Sequence, residues 1–194
     1  MLKRTSGILM PISALPSPYG IGTLGKCAYA FIDFLKASGQ TYWQLLPVGP
    51  TSYGNSPYSS LSSFAGNPYY IDLDMLIQDG LLDETQVQSV DWGSNPEIVD
   101  YSKIYENRFG VLRLAYHRGI EKYPEEFIQF CKESSHWLDS YALYMAVKAE
   151  NHMLCWQQWQ DEDIRMHRPE AVAWYAESLQ EEIAFYKFLQ FLFF

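Results

Sequence analysis

The residue types that could do chemistry in this sequence concentrate in residues 49–72, where tyrosines, serines, asparagines and prolines crowd one irregular stretch. Glycine and proline recur there too densely for a regular helix or a long strand. Tyr53, Tyr58, Phe64, Tyr69 and Tyr70 set it apart from a low-complexity linker, because disordered segments are poor in aromatics. Formal charge is missing: no Lys, Arg, Asp or Glu lies between Lys36 and Asp72. Aromatic faces, hydroxyls and amides without charge suit a neutral, hydroxyl-rich ligand. Tyrosine rings cover the apolar faces of sugar rings, while Ser, Asn and backbone groups take the hydroxyls. The same residues also fit an ordered Ω-type surface loop packed by its own side chains. On residue types alone both readings stand.

Other constellations fail on spacing. Gly20-Ile21-Gly22-Thr23-Leu24-Gly25 fits G-x-G-x-x-G by letter. A dinucleotide fingerprint, however, needs its glycines directly after a strand and an acid about 20 residues further on. His152 and Cys155 have the i, i+3 spacing of two metal ligands, but no second pair accompanies them and a zinc site needs three or four ligands. Two buried helix residues are the simpler reading. Ser56 sits in no G-x-S-x-G elbow. Asp161-Glu162-Asp163 reads as a solvated link between helices.

The elements that must position the tyrosine-rich stretch are two strands and a helix. Residues 6–10 form an apolar run stopped by Pro11 and read as a buried strand. Pro11, Pro16, Pro18, Gly20 and Gly22 then make a stiff loop. Leu24, Ala28, Phe31 and Leu35 recur at three- and four-residue spacing before Gly39, the pattern of a helix and its C′ glycine. Residues 42–46, bounded by Pro47 and Gly49, read as a second strand. Strand, helix and strand make a βαβ unit, whose crossover is expected to be right-handed. Ligand sites of α/β proteins form at the carboxyl ends of their parallel strands. The 11–22 loop and the 47–72 loop are therefore expected side by side at one site.

Beyond residue 72 the pattern turns helical. Residues 73–77 followed by Gly80 read as a short helix and its stop, and 86–100, with Gly93 and Pro96, as a connector. Helical periodicity then covers 101–120, 124–132, 137–160 and 169 to the end. Leu138, Tyr141, Met145, Ala149, His152, Trp156 and Trp159 fall on one stripe of the third helix, and an aromatic stripe at helical spacing reads as core. The last helix has no Gly, Pro or Asn stop and finishes on four large apolar residues. On that pattern the sequence reads as the front of a longer protein.

Composition narrows the class. At 194 residues the chain can bury a sizeable core in one or two domains. A net charge of −9 argues against nucleic acid or an anionic membrane as partner. The charge is uneven: residues 1–74 carry four basic and three acidic side chains, net +1, and residues 75–194 carry ten and twenty, net −10. That shift marks a boundary near residue 74. No apolar h-region follows the first four residues, so no signal peptide is read. Residues 183–194 are fewer than the roughly 20 that a membrane-spanning helix needs. Cys27, Cys131 and Cys155, odd in number and widely spaced, read as reduced, buried thiols of a cytoplasmic protein.

Five motifs in order carry a resemblance: Arg4-x-Ser6-Gly7-Ile8-Leu9; Leu15-Pro16-Ser17-Pro18-Tyr19-Gly20-Ile21-Gly22; Trp43-Gln44-Leu45-Leu46-Pro47-Val48-Gly49-Pro50-Thr51; Gly54-Asn55-Ser56-Pro57-Tyr58-Ser59-Ser60; and Phe64-Ala65-Gly66-Asn67-Pro68-Tyr69-Tyr70-Ile71-Asp72-Leu73. Together they resemble the 4-α-glucanotransferases, also called amylomaltases or disproportionating enzymes. The helical remainder resembles that family's all-helical insertion. The resemblance implies an α/β fold in which residues 1–74 begin an α-amylase-like (β/α)8 TIM barrel. Residues 75–194 would be the helical inserted subdomain, truncated at its C-terminal end.

The implied activity is transfer of α-1,4-glucan segments between maltooligosaccharides with retention of configuration. In that mechanism a carboxylate attacks the anomeric carbon, a carboxylic acid protonates the leaving oxygen, and a sugar hydroxyl accepts the covalent intermediate. No metal or organic cofactor is implied. The family's nucleophile, acid/base and third aspartate lie at the ends of later barrel strands, whose motifs are not in these residues. No catalytic role is therefore assigned to any of the 23 acidic side chains, and the chain alone is expected to be inactive. What carries over is Tyr58, which in the family lines the sugar site beside the scissile bond, with Ser56 as its neighbour. Asn55 stands where many relatives have Asp, and Tyr53 matches an aromatic of a second, surface glucan site. The implied partners are α-1,4-glucans and maltooligosaccharides, and exposed barrel edges would favour self-association. Two non-catalytic readings compete: a complete glycan-binding module, and a structural interaction domain built on the acidic helices. Unpaired strand edges in need of cover count against both.

Overall fold

A computed structural model describes residues 4–194. Its packing separates two compact units, one running to Gly119 and taking in Phe193, the other Ile120–Leu192 with Phe194. Such packing units measure spatial contact, a different quantity from the compositional division at residue 74.

In the first unit, β1 (Gly7–Leu9) and β2 (Tyr42–Gln44) pair in parallel, with Ile8 opposite Trp43, and α1 (Lys26–Ala37) connects them. The βαβ unit expected from the sequence is present. Helix α1 stops where Gly39 takes a φ of +71°, in the left-handed region that glycine enters without a Cβ penalty. Trp43 ties the two strands together: its Nε1 donates to the Met10 carbonyl at 2.8 Å, and its ring meets Phe31 of α1 edge-on at 5.0 Å. One expectation fails here. The first strand is not buried: Leu9 is 51% exposed, and α1 also leaves Tyr29, Ile32 and Phe34 open. Two strands alone cover one another's hydrogen bonds on one edge only, so their side chains remain at the surface.

The core of this unit gathers instead around the turns and helices that follow. Helix α2 (Leu73–Gln78) buries Leu73 and Leu76, and Gly80 at φ +68° ends it as the sequence predicted. Residues 86–100 are not all connector. Asp83 and Gln86 form a capping box, and α3 (Glu84–Gln88) grows from it, burying Val87. Helix α4 (Tyr101–Lys122) presents Ile104, Arg108, Val111, Leu112 and Ala115 along one buried stripe.

In the second unit, α5 (Pro124–Glu133), α6 (Ser135–Glu150) and α9 (Gln180–Phe193) share an aromatic core, where Phe127 meets Phe188 at 5.4 Å and Phe130 meets Phe191 at 5.8 Å. Two of the long helices expected here are broken. The 137–160 helix stops at Asn151, since His152 and Met153 both take left-handed φ values of +54° and +61°. Lys148 holds that break by donating from Nζ to the Met153 and Leu154 carbonyls at 2.8 Å each. The expected stripe is core only as far as Met145; His152 and Trp156 are exposed, while Trp159 joins a separate cluster with Val147 and Ile164. The stretch from residue 169 is likewise two helices, α8 (Pro169–Ser178) and α9, parted at Leu179.

The acid run is more than a solvated link: Asp161 caps α7 (Glu162–Arg165), and Asp163 pairs with Arg168 at 3.1 Å. All three cysteines are free, but none is buried: Cys27 and Cys155 are exposed and Cys131 is half-buried. Among the described residues no helix is long and apolar enough to cross a membrane. No group of three or more His, Cys, Asp or Glu among them could hold a metal ion.

Candidate functional site: a braced loop with exposed tyrosines

The uncharged stretch folds as a closed excursion of the chain. At its mouth Asn67 N donates to the Val48 carbonyl at 2.8 Å; further out Leu61 N donates to Pro50 O at 3.1 Å and Ser52 N to Ser59 O at 2.9 Å. Thr51 and Ser60 form an antiparallel bridge between the two arms. The arms approach closely at Gly49, where a Cβ would lie 2.4 Å from Ser60 Oγ, so a larger residue there would displace the Ser60 hydroxyl from its place. Serine hydroxyls complete the bracing. Ser60 Oγ donates to Ser62 O at 2.7 Å, and Ser62 Oγ accepts from Phe64 N and Ala65 N at 3.1 Å each. These are the local side chain–backbone bonds that make serine a loop residue.

Two turns form the tip. In the first, Asn55 N donates to Ser52 O at 3.1 Å, and Gly54 at φ +84° supplies the positive φ that a type II turn needs at its third position. Asn55 follows at φ +54°, a conformation asparagine tolerates better than other side-chain-bearing residues. In the second, Ser59 N donates to Ser56 O at 3.0 Å with Pro57 at the second position, and Tyr58 N donates to Ser56 Oγ at 3.3 Å. Pro57 fixes φ and leaves the turn few alternatives. All four residues singled out in the sequence, Tyr53, Asn55, Ser56 and Tyr58, therefore sit together on one tip. Tyr53 is fully exposed and Tyr58 is 75% exposed. Their rings stand in solvent on a backbone pinned by hydrogen bonds.

The base of the loop is built differently. Asn67 is buried, and its side chain accepts from Tyr69 N at 3.0 Å to start a 3₁₀ turn, Pro68–Tyr70, whose three residues are buried. Asp72 caps α2 through Met75 N at 3.0 Å and accepts from Thr23 Oγ1 at 2.5 Å. Gly25 is required there, because a Cβ would come within 1.9 Å of Asp72 Oδ2. Burial pushes the Tyr69 hydroxyl up to about 12. Tyr19, whose hydroxyl donates to Asp74 Oδ1, is raised further, by burial first and by that bond second.

Under this base lies Arg108, fully buried, a residue the sequence reading did not single out. Its Nη2 donates to the Ile71 carbonyl, and its guanidinium lies 5.7 Å from the centre of the Trp92 ring. Nε and Nη1 have no partner among the described residues. Burial pulls the guanidinium down to about 10, while the Asp72 carboxylate opposes that shift. One signal could have found it: a lone charge at the i+4 position of an otherwise apolar stripe.

The expected juxtaposition of the two loops is met at the base and not at the tip. The 11–22 loop and its exit bond to the second loop's foot, through Leu24 N to Tyr70 O at 2.9 Å and through Thr23 to Asp72. Its other side borders a groove of about 770 Å³ whose far wall is residues 92–99, closed where Gly20 approaches the Trp92 carbonyl. Chemically, the tip offers flat rings, hydroxyls and amides to a neutral ligand. It holds no carboxylate that could act as nucleophile or proton donor.

Comparison with known proteins gives a single answer. A family model described as 4-alpha-glucanotransferase matches residues 10–194. The chain is 45% identical over 185 residues to a 4-alpha-glucanotransferase of Clostridium butyricum, covering 95% of this chain and 38% of that protein. It is 42% identical over 197 residues to one of Thermus thermophilus, covering 100% of this chain and 38% of the relative. Among solved structures, the amylomaltase from Streptococcus agalactiae in complex with acarbose superposes with a TM-score of 0.94 at 38% identity, over 98% of this chain and 39% of that one. The chain thus spans well under half the length of the relatives it matches.

Proposed function

The chain belongs to the 4-alpha-glucanotransferase family, and from that premise we propose that it forms the N-terminal, sugar-contacting portion of a retaining 4-alpha-glucanotransferase that moves α-1,4-glucan segments between maltooligosaccharides. In this reading residues 1–74 begin an α-amylase-like (β/α)8 barrel, with β1, α1 and β2 as its first strand, helix and strand. Residues 75–194 are a helical insertion into that barrel. The setting is cytoplasmic, with which three free thiols agree.

The observation that carries the reading is the uncharged loop braced along its length while Tyr53 and Tyr58 remain exposed at its tip. A ring held in solvent on a rigid turn loses little conformational freedom when a ligand covers it, so its contact energy goes largely into affinity. Tyr58 packs against the sugar beside the bond being exchanged, with its hydroxyl as a hydrogen-bond partner. Ser56 and Asn55 fix the turn and offer an hydroxyl and an amide alongside, and Tyr53 takes a second segment of glucan. These residues bind and orient. Bond breaking needs a carboxylate nucleophile and a carboxylic acid near the anomeric carbon, and none of the chain's acids is given that role. No metal or organic cofactor enters.

The test is to give the 194-residue chain maltotriose and maltoheptaose. The expected result is no glucose released from maltotriose above buffer background, together with saturable maltoheptaose-induced shifts of the Tyr58 ring resonances. Glucose release by a clean preparation, or Tyr58 signals indifferent to maltoheptaose, would overturn it.

A further inference from the structure

The second unit holds a pocket of about 260 Å³ that the loop reading leaves unused. Ser140, Tyr144 and Val147 of α6 line one side, and Trp156, Trp159, Arg165 and His167 the other. We propose that this pocket binds a single glucose unit of an α-1,4-glucan, a carbohydrate site separate from the Tyr53–Tyr58 loop. The glucan identity of the ligand rests on the function proposed above; the site itself rests on its own geometry.

Four observations point to a neutral sugar. First, aromatic surface is held open. Trp156 is 44% exposed on a 3₁₀ turn, Trp156–Gln158, while the Trp159 and Tyr144 rings sit behind it at 5.6 Å from each other. Indole faces cover the C–H faces of pyranose rings. Second, the walls are fixed before any ligand arrives. The α6 break that carries this turn is held by Lys148, Trp159 Nε1 donates to Leu154 O at 3.3 Å, and Arg165 Nη1 donates to Gln157 O at 3.3 Å.

Third, polar groups accompany the apolar lining. Arg165 Nε is buried with no partner among the described residues, and Ser140 and His167 line the same pocket. A buried donor left unpaired is costly, and a sugar hydroxyl would satisfy it. Fourth, the charges around the lining offset one another: Arg165 lines the pocket, and Asp163, one of the acids beside it, is paired with Arg168 at 3.1 Å. Asp161, Glu162 and Asp163 stand at the start of the helix that carries Arg165, and the Asp161 carboxylate, after burial, helps raise the neighbouring Tyr175 hydroxyl. A neutral polyol suits a lining on which the guanidinium and the neighbouring carboxylates balance. The size agrees, since pockets that enclose drug-sized ligands run to roughly 300–1,000 Å³. This one takes one ring and leaves the rest of the oligosaccharide outside.

The test uses the whole 194-residue chain labelled with ¹⁵N at its six tryptophans and with ¹³C in its tyrosine rings, with maltoheptaose as the probe. Indole resonances of Trp156 and Trp159 should move saturably, and the same shifts should survive in Tyr58→Ala. Trp156→Ala should weaken that binding at least tenfold, about the worth of one aromatic contact. Trp156→Phe should recover part of it. Arg165→Met should weaken binding to a similar degree, whereas Trp174→Ala, an exposed tryptophan on α8, should leave it unchanged. Trp156 and Trp159 signals that stay still while Tyr58 responds would overturn this site and leave the loop reading intact. Silence at all three residues would remove both. Affinity at Trp159 unchanged by both Trp156→Ala and Arg165→Met would also overturn it.

Discussion

Arg108 is where the energetics under the candidate site can be tested most sharply. Two substitutions separate its charge from its volume. In the folded chain it gains a charge-assisted hydrogen bond to Ile71 O, worth about 1.5–3 kcal/mol, and a desolvated cation–π contact with Trp92, worth about 2 kcal/mol. Against these stand two buried donors, Nε and Nη1, without partners among the described residues, at about 1–3 kcal/mol each. The polar gains and losses nearly cancel. Replacing a buried charge by an apolar side chain of similar length is often close to neutral. Arg108→Met should therefore cost only about 1–2 kcal/mol, chiefly for the orphaned Ile71 carbonyl. Arg108→Ala loses the same polar terms and also leaves a cavity where the side chain was completely buried, raising the cost to about 3–5 kcal/mol. Urea unfolding of both variants gives the difference directly. Because Ile71 sits at the loop's foot, amide exchange in residues 69–73 should quicken in Ala before it does in Met. A cost for Arg108→Met as large as the about 3–5 kcal/mol expected for Ala would refute the cancellation and assign the stability of the loop base to the charge itself.

Two other outcomes are expected. The chain should self-associate, because β1 and β2 form a two-stranded sheet with open outer edges beside exposed Leu9, Tyr42, Ile32 and Phe34; a single monomer boundary in sedimentation velocity at the highest attainable concentration would contradict this. Stability should also fall above about pH 10, where unfolded tyrosine begins to ionise. Burial raises Tyr69 to about 12 and also raises Tyr19 and Tyr141. A raised native pKa means stability fully present below the unfolded value and lost as pH climbs through the native one. Arg108, shifted downward, works the other way, but it is one group against several. Urea midpoints taken at about pH 9, 10 and 11, with phenolate absorbance followed alongside, should decline together; a flat or rising midpoint would refute the balance.

What the sequence made legible was set by how local each signal is. The βαβ unit, the Gly39 and Gly80 stops, and helices α4 and α5 all follow from periodicity and terminal residues within a few positions of each other. So did the loop that carries Tyr53 and Tyr58, whose turns are written in Gly54, Asn55 and Pro57. The breaks at 151–153 and at Leu179 were not legible from apolar spacing, because the hydrophobic pattern continues across both. The first is fixed by a lysine several residues back that bonds to carbonyls beyond the helix. Helix α3 was missed although Asp83 and Gln86 carry a capping-box signature. Burial of β1 was inferred from an apolar run, and such a run has no way to say whether neighbouring strands exist to cover it. The pocket behind Trp156 could be found only after the break in α6 turned that tryptophan away from the stripe on which its spacing placed it.

The claim that the loop tip is a glucan-contacting surface is tested most directly by Tyr58 itself. Maltoheptaose affinity should be measured for the unmodified chain, Tyr58→Phe and Tyr58→Ala, each at a temperature where melting curves show it fully folded. Loss of a ring contact and a hydrogen bond amounts to about 2 kcal/mol, so Ala should bind at the Tyr58 loop roughly 30-fold more weakly. Phe keeps the ring and should lose only several-fold. Affinity at that loop within twofold of the parent for Tyr58→Ala would contradict the account, leaving Tyr58 a residue that only completes its turn.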